Sequence, residues 1–461
     1  MKIENLRNKS ILILGLGREG ISTLKFLAKN FPGGKIAIAD QLPEDKISKE
    51  IKNFIQNGLV GESFFGKDYL DKICKFDVII KSPGISPHQK NLREAYKSGK
   101  VISGTCIFAA NCPGMVVGVT GTKGKSTTAS IIFEVLKNGG LDVKLVGNIG
   151  IPVLDCLDKD NKDKIYVFEM SSHQLLDLRQ SPHIAVMTNL YPEHLDYYLS
   201  LEGYKQAKFN ITRFQGAGDF FIFNQGEKEL VDIANSTEAK LLPFSLEKLP
   251  NSVVFKSYDK LVYHNEEIID KKDISLLGEF NLQNIMPAII IGKLFEISTE
   301  KIKEAIKNFK PLPHRLEFIG IYQRISFYDD SISTIPQTAV AAITALGDKV
   351  ETLIAGGYDR GIDFTPLAKK IKDSEIKNLI LFPTTGERIW KAVCRAMPKV
   401  DLRPRKFDVS SMKEVVSIAF ENTGPGKICL LSPASSSFNL FKNYEERGNL
   451  FKKYVQREAK S

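Results

Sequence analysis

The sequence predicts an α/β protein built from three consecutive domains. Short apolar runs alternate with helical stretches along the 461 residues, which is the pattern of parallel sheets with crossover helices. A chain of this length corresponds to about three domains of ordinary size. A pair of prolines in "FKPLPHRLEFIG" marks a linker. We therefore place the domains at residues 1–105, 106–311 and 312–461.

The first predicted domain begins with a nucleotide-binding pattern. The runs "SILILGLG", "KIAIAD" and "FDVIIKSPG" are typical of strands, and Gly15, Gly17 and Gly20 follow the first of them. Asp40 closes the next strand, where dinucleotide-binding folds use an acidic side chain to accept from ribose hydroxyls. This fingerprint predicts a Rossmann-like domain. It leaves two ligands open: the nicotinamide cofactor of a dehydrogenase, or another nucleotide.

The second predicted domain carries a phosphate-binding loop. In "GMVVGVTGTKGKSTTASIIFEVL", residues 114–136, an apolar strand crosses a glycine-rich turn into a helix. Backbone N–H groups and the helix dipole converge at such a turn and bind anions. Because position 119 is Val119, the match is to the shorter motif G-T-x-G-K-[ST]. Lys125 supplies a point charge and Ser126 a hydroxyl for magnesium. The loop predicts ATP binding in a central P-loop ATPase-type domain, which weighs against a dehydrogenase.

Two further side chains follow strands of this central sheet. Glu169 ends the strand in "VFEMSSHQL", and His194 lies in the loop "TNLYPEHLDYY". Taken singly, Glu169 also fits a solvated strand-end carboxylate, and His194 also fits a satisfied surface or core histidine. The carboxyl ends of parallel strands meet at one edge of a sheet. We therefore expect Ser126, Glu169 and His194 to lie close together, facing the γ-phosphate and a magnesium ion.

The third predicted domain repeats the alternation of strand and helix. The runs "VETLIAGG", "NLILFP" and "KICLLSPAS" each end in a turn and precede a helical stretch. They predict a C-terminal Rossmann-like α/β domain.

Composition indicates an ordinary globular protein. Hydrophobic residues make up 43% of the chain and charged residues 26%, enough for several cores. The formal net charge of +10 leaves nucleic acid open as a partner. The lysines are scattered, however, and no arginine-rich stripe is present, which favours a solvated surface and small anionic substrates. The six cysteines form no CxxC pair, so we expect reduced thiols and no zinc site.

The sequence also bears on location. No apolar run approaches the ~18 residues of a membrane span. The N-terminal stretch "MKIENLRNKSILILGLG" lacks the apolar region and cleavage site of a signal peptide. We expect a cytoplasmic protein that binds neither membrane nor nucleic acid.

Several segments together resemble the Mur ligases. Six motifs occur in the same order as in this family, along essentially the whole chain. They are "GTKGKST", the strand-end Glu169, N-L-x-x-x-H-L-D, "EGYKQAKFNI", "LPHRLE" and "DDSIST". Within the family, the fingerprint at 15–20, "KSPGISP" at 81–87 and "LLSPASSSFNLFKNYEERGNLF" at 430–451 are similar to the branch that adds glutamate to UDP-N-acetylmuramoyl-L-alanine. The last segment is the most specific of these motifs. The phosphate loop is less specific, because the whole superfamily shares it, including the folylpolyglutamate synthases.

The resemblance implies roles for individual residues. The catalytic set is Lys125, Glu169, His194 and Lys208, where Lys208 becomes carbamylated. The metal set is Ser126, Glu169, His194 and the carbamate of Lys208. The ATP set is Gly121, Thr122, Lys123, Gly124, Lys125, Ser126, Thr127, Asn148, Asn284, Arg315 and Asp330. The UDP-substrate set is Gly15, Gly17, Arg18, Glu19, Asp40, Ser82, Pro83 and Gly84. The glutamate set is Thr334, Arg360, Ser437, Phe438 and Tyr444. Read without the family, Lys208 also fits an exposed helix lysine and Arg360 a solvated arginine.

The resemblance also implies a reaction. ATP phosphorylates the L-alanine carboxylate to an acyl phosphate, and the amine of glutamate then attacks it. Two magnesium ions and Lys125 neutralise the negative charge. Domain closure excludes water from the acyl phosphate. The implied protein is a monomeric ligase of peptidoglycan precursor synthesis, with a role in cell shape and cell division.

One position departs from the family pattern. The D-glutamate enzymes commonly read D-S-K-A-T-N where this chain has D-S-I-S-T-I at 330–335, so Ile332 replaces a lysine beside the acceptor. We expect D-glutamate as the substrate, with L-glutamate as the alternative. Outside the family, the alternatives are a nicotinamide-dependent oxidoreductase and a nucleic-acid-stimulated ATPase. Neither of these explains Glu169, His194 and Lys208 together.

Overall fold

A computed structural model describes residues 1–34, 36–158 and 160–459, with the side chains at 195–196 excepted. The chain forms two compact units. The first comprises residues 1–273 and 282–307, and the second comprises 274–281 and 308–461. The first unit contains two sheets and the second unit one. The predicted α/β class is confirmed, while the predicted domain boundaries stay predictions.

The first sheet is parallel throughout, in the order β3-β2-β1-β4-β5. Its strands, in the described residues, are β1 Ile11–Leu14, β2 Ile36–Asp40, β3 Glu62–Phe65, β4 Val78–Lys81 and β5 Val101–Ile102. The helices of this part are α1 Arg18–Asn30, α2 Lys49–Gln56, α3 Lys90–Lys97 and α4 Gly104–Asn111. Every residue of β1 and β2 is buried, because helices cover both faces of a parallel sheet.

The second sheet has the order β14-β13-β12-β11-β10-β9-β6-β8-β7. Over the part of the chain described, its strands are β6 Met115–Thr120, β7 Val143–Gly147, β8 Ile165–Glu169, β9 Ile184–Met187, β10 Phe220–Asn224, β11 Lys240–Ser245, β12 Val254–Ser257, β13 Lys260–Tyr263 and β14 Glu266–Asp270. The accompanying helices are α5 Lys125–Asn138, α6 Ser172–Leu175, α7 Leu195–Tyr198, α8 Leu201–Phe209, α9 Lys228–Ala234, α10 Glu279–Leu294 and α11 Thr299–Asn308. The strands from β7 to β12 are parallel, and β12, β13 and β14 form an antiparallel edge.

The third sheet lies in the second unit, in the order β15-β16-β20-β17-β18-β19. Its described strands are β15 Glu317–Tyr322, β16 Ile325–Asp329, β17 Val350–Gly356, β18 Asn378–Phe382, β19 Arg405–Asp408 and β20 Ile428–Leu431. Its helices are α12 Pro336–Leu346, α13 Thr365–Lys372, α14 Thr385–Ala396, α15 Met412–Asn422 and α16 Tyr444–Glu458. Among the described strand pairs of this sheet, β15–β16 is antiparallel and the others are parallel.

The two sheets of the first unit share one apolar core. This core joins Ile13 and Leu24 of the first sheet's layer to Tyr166 and Met187 of the second, with Phe108 of α4 between them. The rings of Phe108 and Tyr166 pack edge to face, with centroids 5.2 Å apart. A shared core fixes the loops of one sheet relative to those of the other. Among the helices described, none has the length and apolar character that a bilayer crossing requires.

Candidate active site

The phosphate loop, residues 121–126, joins β6 to α5 as the sequence predicts. Gly124 caps the helix with φ +82°, and a Cβ there would come within 2.2 Å of Asn284 Oδ1. Only glycine fits this combination of left-handed backbone and close approach. Lys125 donates from Nζ to the carbonyl oxygens of Gly121 and Thr122, each at 3.0 Å. The loop is thus folded around its own lysine at a helix N-terminus, which suits an anion.

Residues after β9 hold this loop from the side. The backbone N–H of Thr122 donates to the Asn189 carbonyl oxygen at 3.1 Å, and that of Lys123 donates to Asn189 Oδ1 at 2.8 Å. Lys123 Nζ pairs with Glu193 Oε1 at 2.7 Å. Burial opposes ionisation of Glu193, but the ammonium of Lys123 outweighs it and holds the pKa of that carboxyl below its ordinary value. Lys123 of the predicted ATP set therefore has a carboxylate partner, which the sequence did not reveal.

Glu169 ends β8 with its side chain fully buried. Its Oε1 accepts from Asn148 Nδ2 at 3.1 Å, while Oε2 has no hydrogen-bond partner among the described residues. Asn148 also donates its backbone N–H to the Glu169 carbonyl oxygen at 3.0 Å. A buried carboxylate oxygen without a donor is costly unless a cation faces it. The structure thus brings together Asn148 of the predicted ATP set and Glu169 of the predicted metal set.

Lys208 on α8 is buried rather than exposed, with 1% of its surface accessible. Its Nζ donates to the Gly121 carbonyl oxygen at 2.8 Å and to Thr120 Oγ1 at 3.2 Å. Burial, and then the nearby charge of Lys125, lower the pKa of Lys208 well below its ordinary value. The amine therefore reaches the neutral, nucleophilic form more easily than a solvated lysine.

His194 lies near these groups with a backbone φ of +57°, a left-handed conformation that is uncommon outside glycine. Burial, and then the charges of Lys125, Lys123 and Lys208, lower its pKa, although the Glu193 carboxylate opposes the shift. A neutral imidazole is the form that binds metals. Its ring packs edge to face on His173, with centroids 4.9 Å apart, and the sequence did not single His173 out.

The remaining central positions lie on the same loop and helix. Ser126 and Thr127 are buried in the first turn of α5. Asn284, on α10, is buried against the loop, with its Oδ1 3.4 Å from the Thr128 hydroxyl. Ser126 is thus the last residue of the phosphate loop, and Thr127 and Asn284 lie beside it.

The fingerprint turn of the first sheet is held by Asp40 and Ser82. Asp40 Oδ2 accepts from the Leu16 N–H at 2.6 Å, and Oδ1 accepts from the Leu42 N–H at 2.8 Å. Ser82 Oγ donates to the Gly15 carbonyl oxygen at 2.7 Å. Asp40 is predicted to accept from ribose hydroxyls, yet here its two oxygens fix the backbone of two loops. Gly15, Gly17, Pro83 and Gly84 lie at the same carboxyl edge of the sheet.

Arg18 and Glu19 reach from α1 to the central part of the first unit. Arg18 Nη2 donates to the Gly147 carbonyl oxygen at 2.5 Å, beside Asn148. Glu19 accepts from Gln174 Nε2 at 2.6 Å, and burial raises its pKa. Both predicted substrate residues therefore also join the two sheets of this unit.

In the second unit, Asp330 is buried and faces inward. Its Oδ2 accepts from Ser333 Oγ at 2.5 Å and from Ser432 Oγ at 2.7 Å, and its Oδ1 from the Leu316 N–H at 3.2 Å. Burial raises the pKa of Asp330 to about 7. Arg315 and Thr334 lie half-buried near it in the chain. The predicted ATP set is thus divided between the two units, with Arg315 and Asp330 in the second.

The structure brings together two members of the predicted glutamate set. The guanidinium of Arg360 lies over the ring of Phe438, 5.9 Å from its centroid. Both side chains are exposed, and Phe438 keeps 61% of its surface accessible. Ser437 is buried beside Phe438, and Tyr444 begins α16. An exposed arginine beside an aromatic ring is a suitable surface for a carboxylate.

Sequence reasoning missed Arg447, which is completely buried in the second unit. Its guanidinium donates to the hydroxyl and carbonyl oxygens of Ser331, at 3.0 and 2.8 Å, and to the Ser435 carbonyl oxygen at 3.1 Å. Burial lowers its pKa to about 10. Ser331 follows β16 and Ser435 follows β20, so Arg447 joins the two segments that carry the predicted glutamate site. Its place in "NYEERGNLF" resembles an ordinary charged helix face, so no local signal distinguished it.

Known proteins share this organisation over the whole chain. Residues 9–104 match the family "Mur ligase MurD-like, N-terminal domain", and residues 119–292 match the "Mur ligase middle domain". A UDP-N-acetylmuramoylalanine--D-glutamate ligase of Clostridium botulinum is 34% identical over 98% of this chain and 97% of the relative. The chain belongs to the Mur ligase family. A ligase of the same name from Clostridium tetani is 33% identical, over 97% of both chains.

Solved structures share the fold of this Mur ligase at low sequence identity. The UDP-N-acetylmuramate-alanine ligase of Thermotoga maritima has a TM-score of 0.61 and 16% identity, over 98% of this chain and 100% of the other. The MurF ligase of Thermotoga maritima, solved in complex with ADP, has a TM-score of 0.57 and 14% identity, over 98% and 95%. These likenesses support the α/β fold in this chain.

Proposed function

We propose that this Mur ligase joins D-glutamate to UDP-N-acetylmuramoyl-L-alanine in an ATP-dependent reaction of peptidoglycan precursor synthesis. The observation that carries the proposal is the match, over 97–98% of the chain, to ligases named for this product. The phosphate loop, with Lys125 and Lys208 both donating to the Gly121 carbonyl oxygen, is the corresponding chemical site.

The reaction needs activation because a carboxylate is a poor electrophile. An oxygen of the L-alanine carboxylate attacks the γ-phosphorus of ATP, and ADP leaves. The amine of glutamate then attacks the acyl carbon, loses a proton and displaces phosphate, which leaves an amide. We assign Lys125 and the backbone N–H groups of residues 121–126 to the phosphoryl charge, since a helix N-terminus and an ammonium both favour an anion there.

A magnesium ion suits the residues at the end of β8. The unpartnered Oε2 of Glu169 is the observation that fits a cation, and Mg²⁺ prefers carboxylate oxygens. We propose that Ser126, Glu169, His194 and a carbamate on Lys208 hold magnesium, with two ions in all. When bound, magnesium neutralises the charge of the transferring phosphoryl group.

Carbamylation of Lys208 is supported by its burial. No described carboxylate lies within ion-pair distance of this amine, and its two acceptors are neutral oxygens. A buried ammonium in such surroundings is unfavourable, whereas the neutral amine can add CO₂ through its nitrogen lone pair and lose a proton to solvent, which gives an anionic carbamate. The negative carbamate would be attracted by the positive charge of Lys125, whereas a Lys208 ammonium would be repelled by it.

The nucleotide substrate and glutamate are assigned to separate loops. We place the UDP group at Gly15, Gly17, Arg18, Glu19, Asp40 and Ser82–Gly84, and ATP at residues 121–127 with Asn148, Asn284, Arg315 and Asp330. We place glutamate at Thr334, Arg360, Ser437, Phe438 and Tyr444. The Arg360–Phe438 contact supports a carboxylate subsite there. We further propose a cytoplasmic monomer that binds no nucleic acid and no membrane.

L-Glutamate is the second candidate, and one position favours it. Ile332 takes the place of the lysine that the D-glutamate enzymes commonly carry, and its side chain is half-buried between Ser331 and Ser333. Because no cationic side chain stands at position 332, Arg360 is the residue that we assign to the glutamate carboxylates.

Phosphate release with purified protein tests both candidates. The assay contains ATP, Mg²⁺ and UDP-N-acetylmuramoyl-L-alanine, with D- or L-glutamate in separate reactions, and mass spectrometry identifies each product. We expect turnover with D-glutamate and at least tenfold less with L-glutamate. Turnover with L-glutamate alone would move the protein to the other branch and assign the switch to residues 330–335. If phosphate is released neither with D-glutamate nor with L-glutamate, the proposed function is contradicted.

A further inference from the structure

Residues 189–198, between β9 and the end of α7, contact two functional loops; we call them the bridging segment. At one end, Asn189 accepts from the backbone N–H groups of Thr122 and Lys123, at 3.1 and 2.8 Å. Glu193 pairs with Lys123 Nζ at 2.7 Å. The first half of the bridging segment is therefore bonded directly to the phosphate loop.

The other end of the bridging segment contacts the turn at 82–85 of the first sheet. This turn is closed by the Ile85 N–H, which donates to the Ser82 carbonyl oxygen at 3.2 Å. The Tyr197 hydroxyl lies 2.9 Å from the carbonyl oxygens of both Pro83 and Ile85, so that its one proton is shared between them. The ring of Tyr197 packs edge to face on His173, with centroids 4.2 Å apart. Tyr197 is thus fixed at both its ring and its hydroxyl.

The same turn also contacts a buried ion pair. Lys81 Nζ donates to the Ile85 carbonyl oxygen at 3.2 Å and lies 3.5 Å from Asp177 Oδ2, with both side chains buried. The Tyr96 hydroxyl donates to Asp177 Oδ1 at 2.7 Å. The Lys81 ammonium thus joins the Ile85 carbonyl oxygen to the buried Asp177 carboxylate. Tyr197 is the residue of the bridging segment whose hydroxyl bonds to the turn in the described hydrogen bonds.

We propose that Tyr197 is a positioning residue that couples the phosphate loop to the 82–85 turn, so that ATP and the nucleotide substrate each raise the affinity for the other. Any shift of the bridging segment on ATP binding moves the hydroxyl that holds the turn, and the converse also applies. Such coupling is reciprocal by thermodynamic necessity. The inference rests on the proposed function, because that function assigns the two loops to these two substrates.

Tyr197→Phe removes the hydroxyl and keeps the ring on His173. Calorimetry measures the dissociation constant of UDP-N-acetylmuramoyl-L-alanine with and without saturating Mg²⁺ and the β,γ-imido analogue of ATP. We expect the analogue to tighten binding by roughly fivefold or more in the wild type, which is the usual size of a coupling between sites. In Tyr197→Phe we expect this ratio to fall to about 1. In turnover assays of Tyr197→Phe, the KM for the nucleotide substrate should rise roughly fivefold, as expected for the loss of one hydrogen bond. The decrease in kcat should be smaller than this increase in KM.

The matched control is Tyr198→Phe, since Tyr198 lies next in the same helix and its hydroxyl makes no described hydrogen bond with the turn. It should keep the wild-type coupling ratio. Wild-type protein that turns over but shows no coupling would overturn this inference and leave the proposed function standing. Undiminished coupling in Tyr197→Phe, or equal loss in both variants, would also overturn it. Absence of turnover in the wild type contradicts the proposed function instead.

Discussion

Lys208 and Glu169 are both fully buried, yet neither forms an ion pair with a described side chain. A buried charge without a partner costs several kcal/mol, so such residues persist where a ligand or a modification completes them. At the residue scale, these two side chains mark the chemistry more clearly than the motif does. The loop itself predicts only an anion site, whereas the burial of these two side chains points to a cation and a modified amine.

Lys208→Ala tests the carbamate. Loss of the carbamate that is proposed to bind magnesium should reduce kcat by about 100-fold or more, because a group that stabilises transition-state charge is removed. Acetate or propionate at millimolar concentration should restore part of the activity, since a short carboxylate can enter the space that the side chain vacates. The measurement is phosphate release against carboxylate concentration.

Lys205→Ala is the control for Lys208→Ala. Lys205 lies on the same helix, but it is partly exposed and pairs with Glu229 at 3.8 Å. It should keep wild-type activity and show no response to added carboxylate. Full activity of Lys208→Ala without any carboxylate would contradict the carbamate.

Asp330 predicts a pH dependence of stability. Its pKa is raised from 3.8 to about 7 in the fold because burial favours the neutral carboxyl. The stabilisation by this group is complete below the unfolded pKa and is lost as pH rises through about 7. Relative to Asp330→Asn, the wild type should therefore lose stability between pH 5 and pH 7.5, by a shift in Tm on the order of 5 °C. A difference in Tm that stays constant with pH would contradict the raised pKa.

At the element scale, the strand–turn–helix of the first sheet depends on Gly20 more than on Gly17. A Cβ at Gly20 would lie 1.9 Å from the Gly15 carbonyl oxygen, whereas nothing lies within 4 Å of a Cβ at Gly17. The two glycines belong to one fingerprint, but only one of them is required by close packing between the turn and α1.

Gly20→Ala should therefore lower the stability of the first unit by about 2 kcal/mol or more, since overpacking against backbone cannot relax through a side chain. Gly17→Ala should change stability by less than about 0.5 kcal/mol. Denaturant unfolding followed by circular dichroism measures both. Equal destabilisation by the two substitutions would show that the close contact at Gly20 is not the cause.

Three antiparallel hairpins of the described chain lay outside the sequence interpretation. The turn between β15 and β16 places Gln323 and Arg324 at φ values of +48° and +66°, without the glycine or asparagine that usually marks such a turn. The edge strands β12, β13 and β14 likewise follow one another through Tyr258 and His264, both at positive φ. The turn at Gln323 and Arg324 therefore gave no signal in its residues, whereas Asp259 and Asn265, in the other two turns, are ordinary turn residues.

At the scale of the whole molecule, the two units predict two unfolding transitions. Each has its own core, as independent folding units require. The proposed UDP-substrate residues all lie in the first unit. UDP-N-acetylmuramoyl-L-alanine at 100 times its dissociation constant should therefore stabilise that unit by about 2.7 kcal/mol and leave the other transition where it is.

Scanning calorimetry separates the two transitions. Gly20→Ala should shift the transition of the first unit, and Asp330→Asn should shift that of the second, so the two substitutions assign the peaks. A single transition moved by both substitutions and by the nucleotide substrate would show that the units unfold together.

Local patterns allowed the sequence by itself to determine the α/β class, the phosphate loop and the family. A strand, a glycine turn and a helix start are contiguous in the chain, so residues 114–136 carry their own structure. The rule that parallel strands end at one edge also predicted that Glu169 and His194 lie near the loop.

Only the tertiary structure decided which distant side chains meet. Asp40 and Asp330 turn inward to backbone N–H and hydroxyl donors, and Arg447 is buried beneath two loops. The link from Tyr197 to the 82–85 turn joins residues more than a hundred positions apart. The physical reason is that burial and hydrogen bonding depend on packing between elements, and no spacing within one segment encodes the neighbours that another segment will bring.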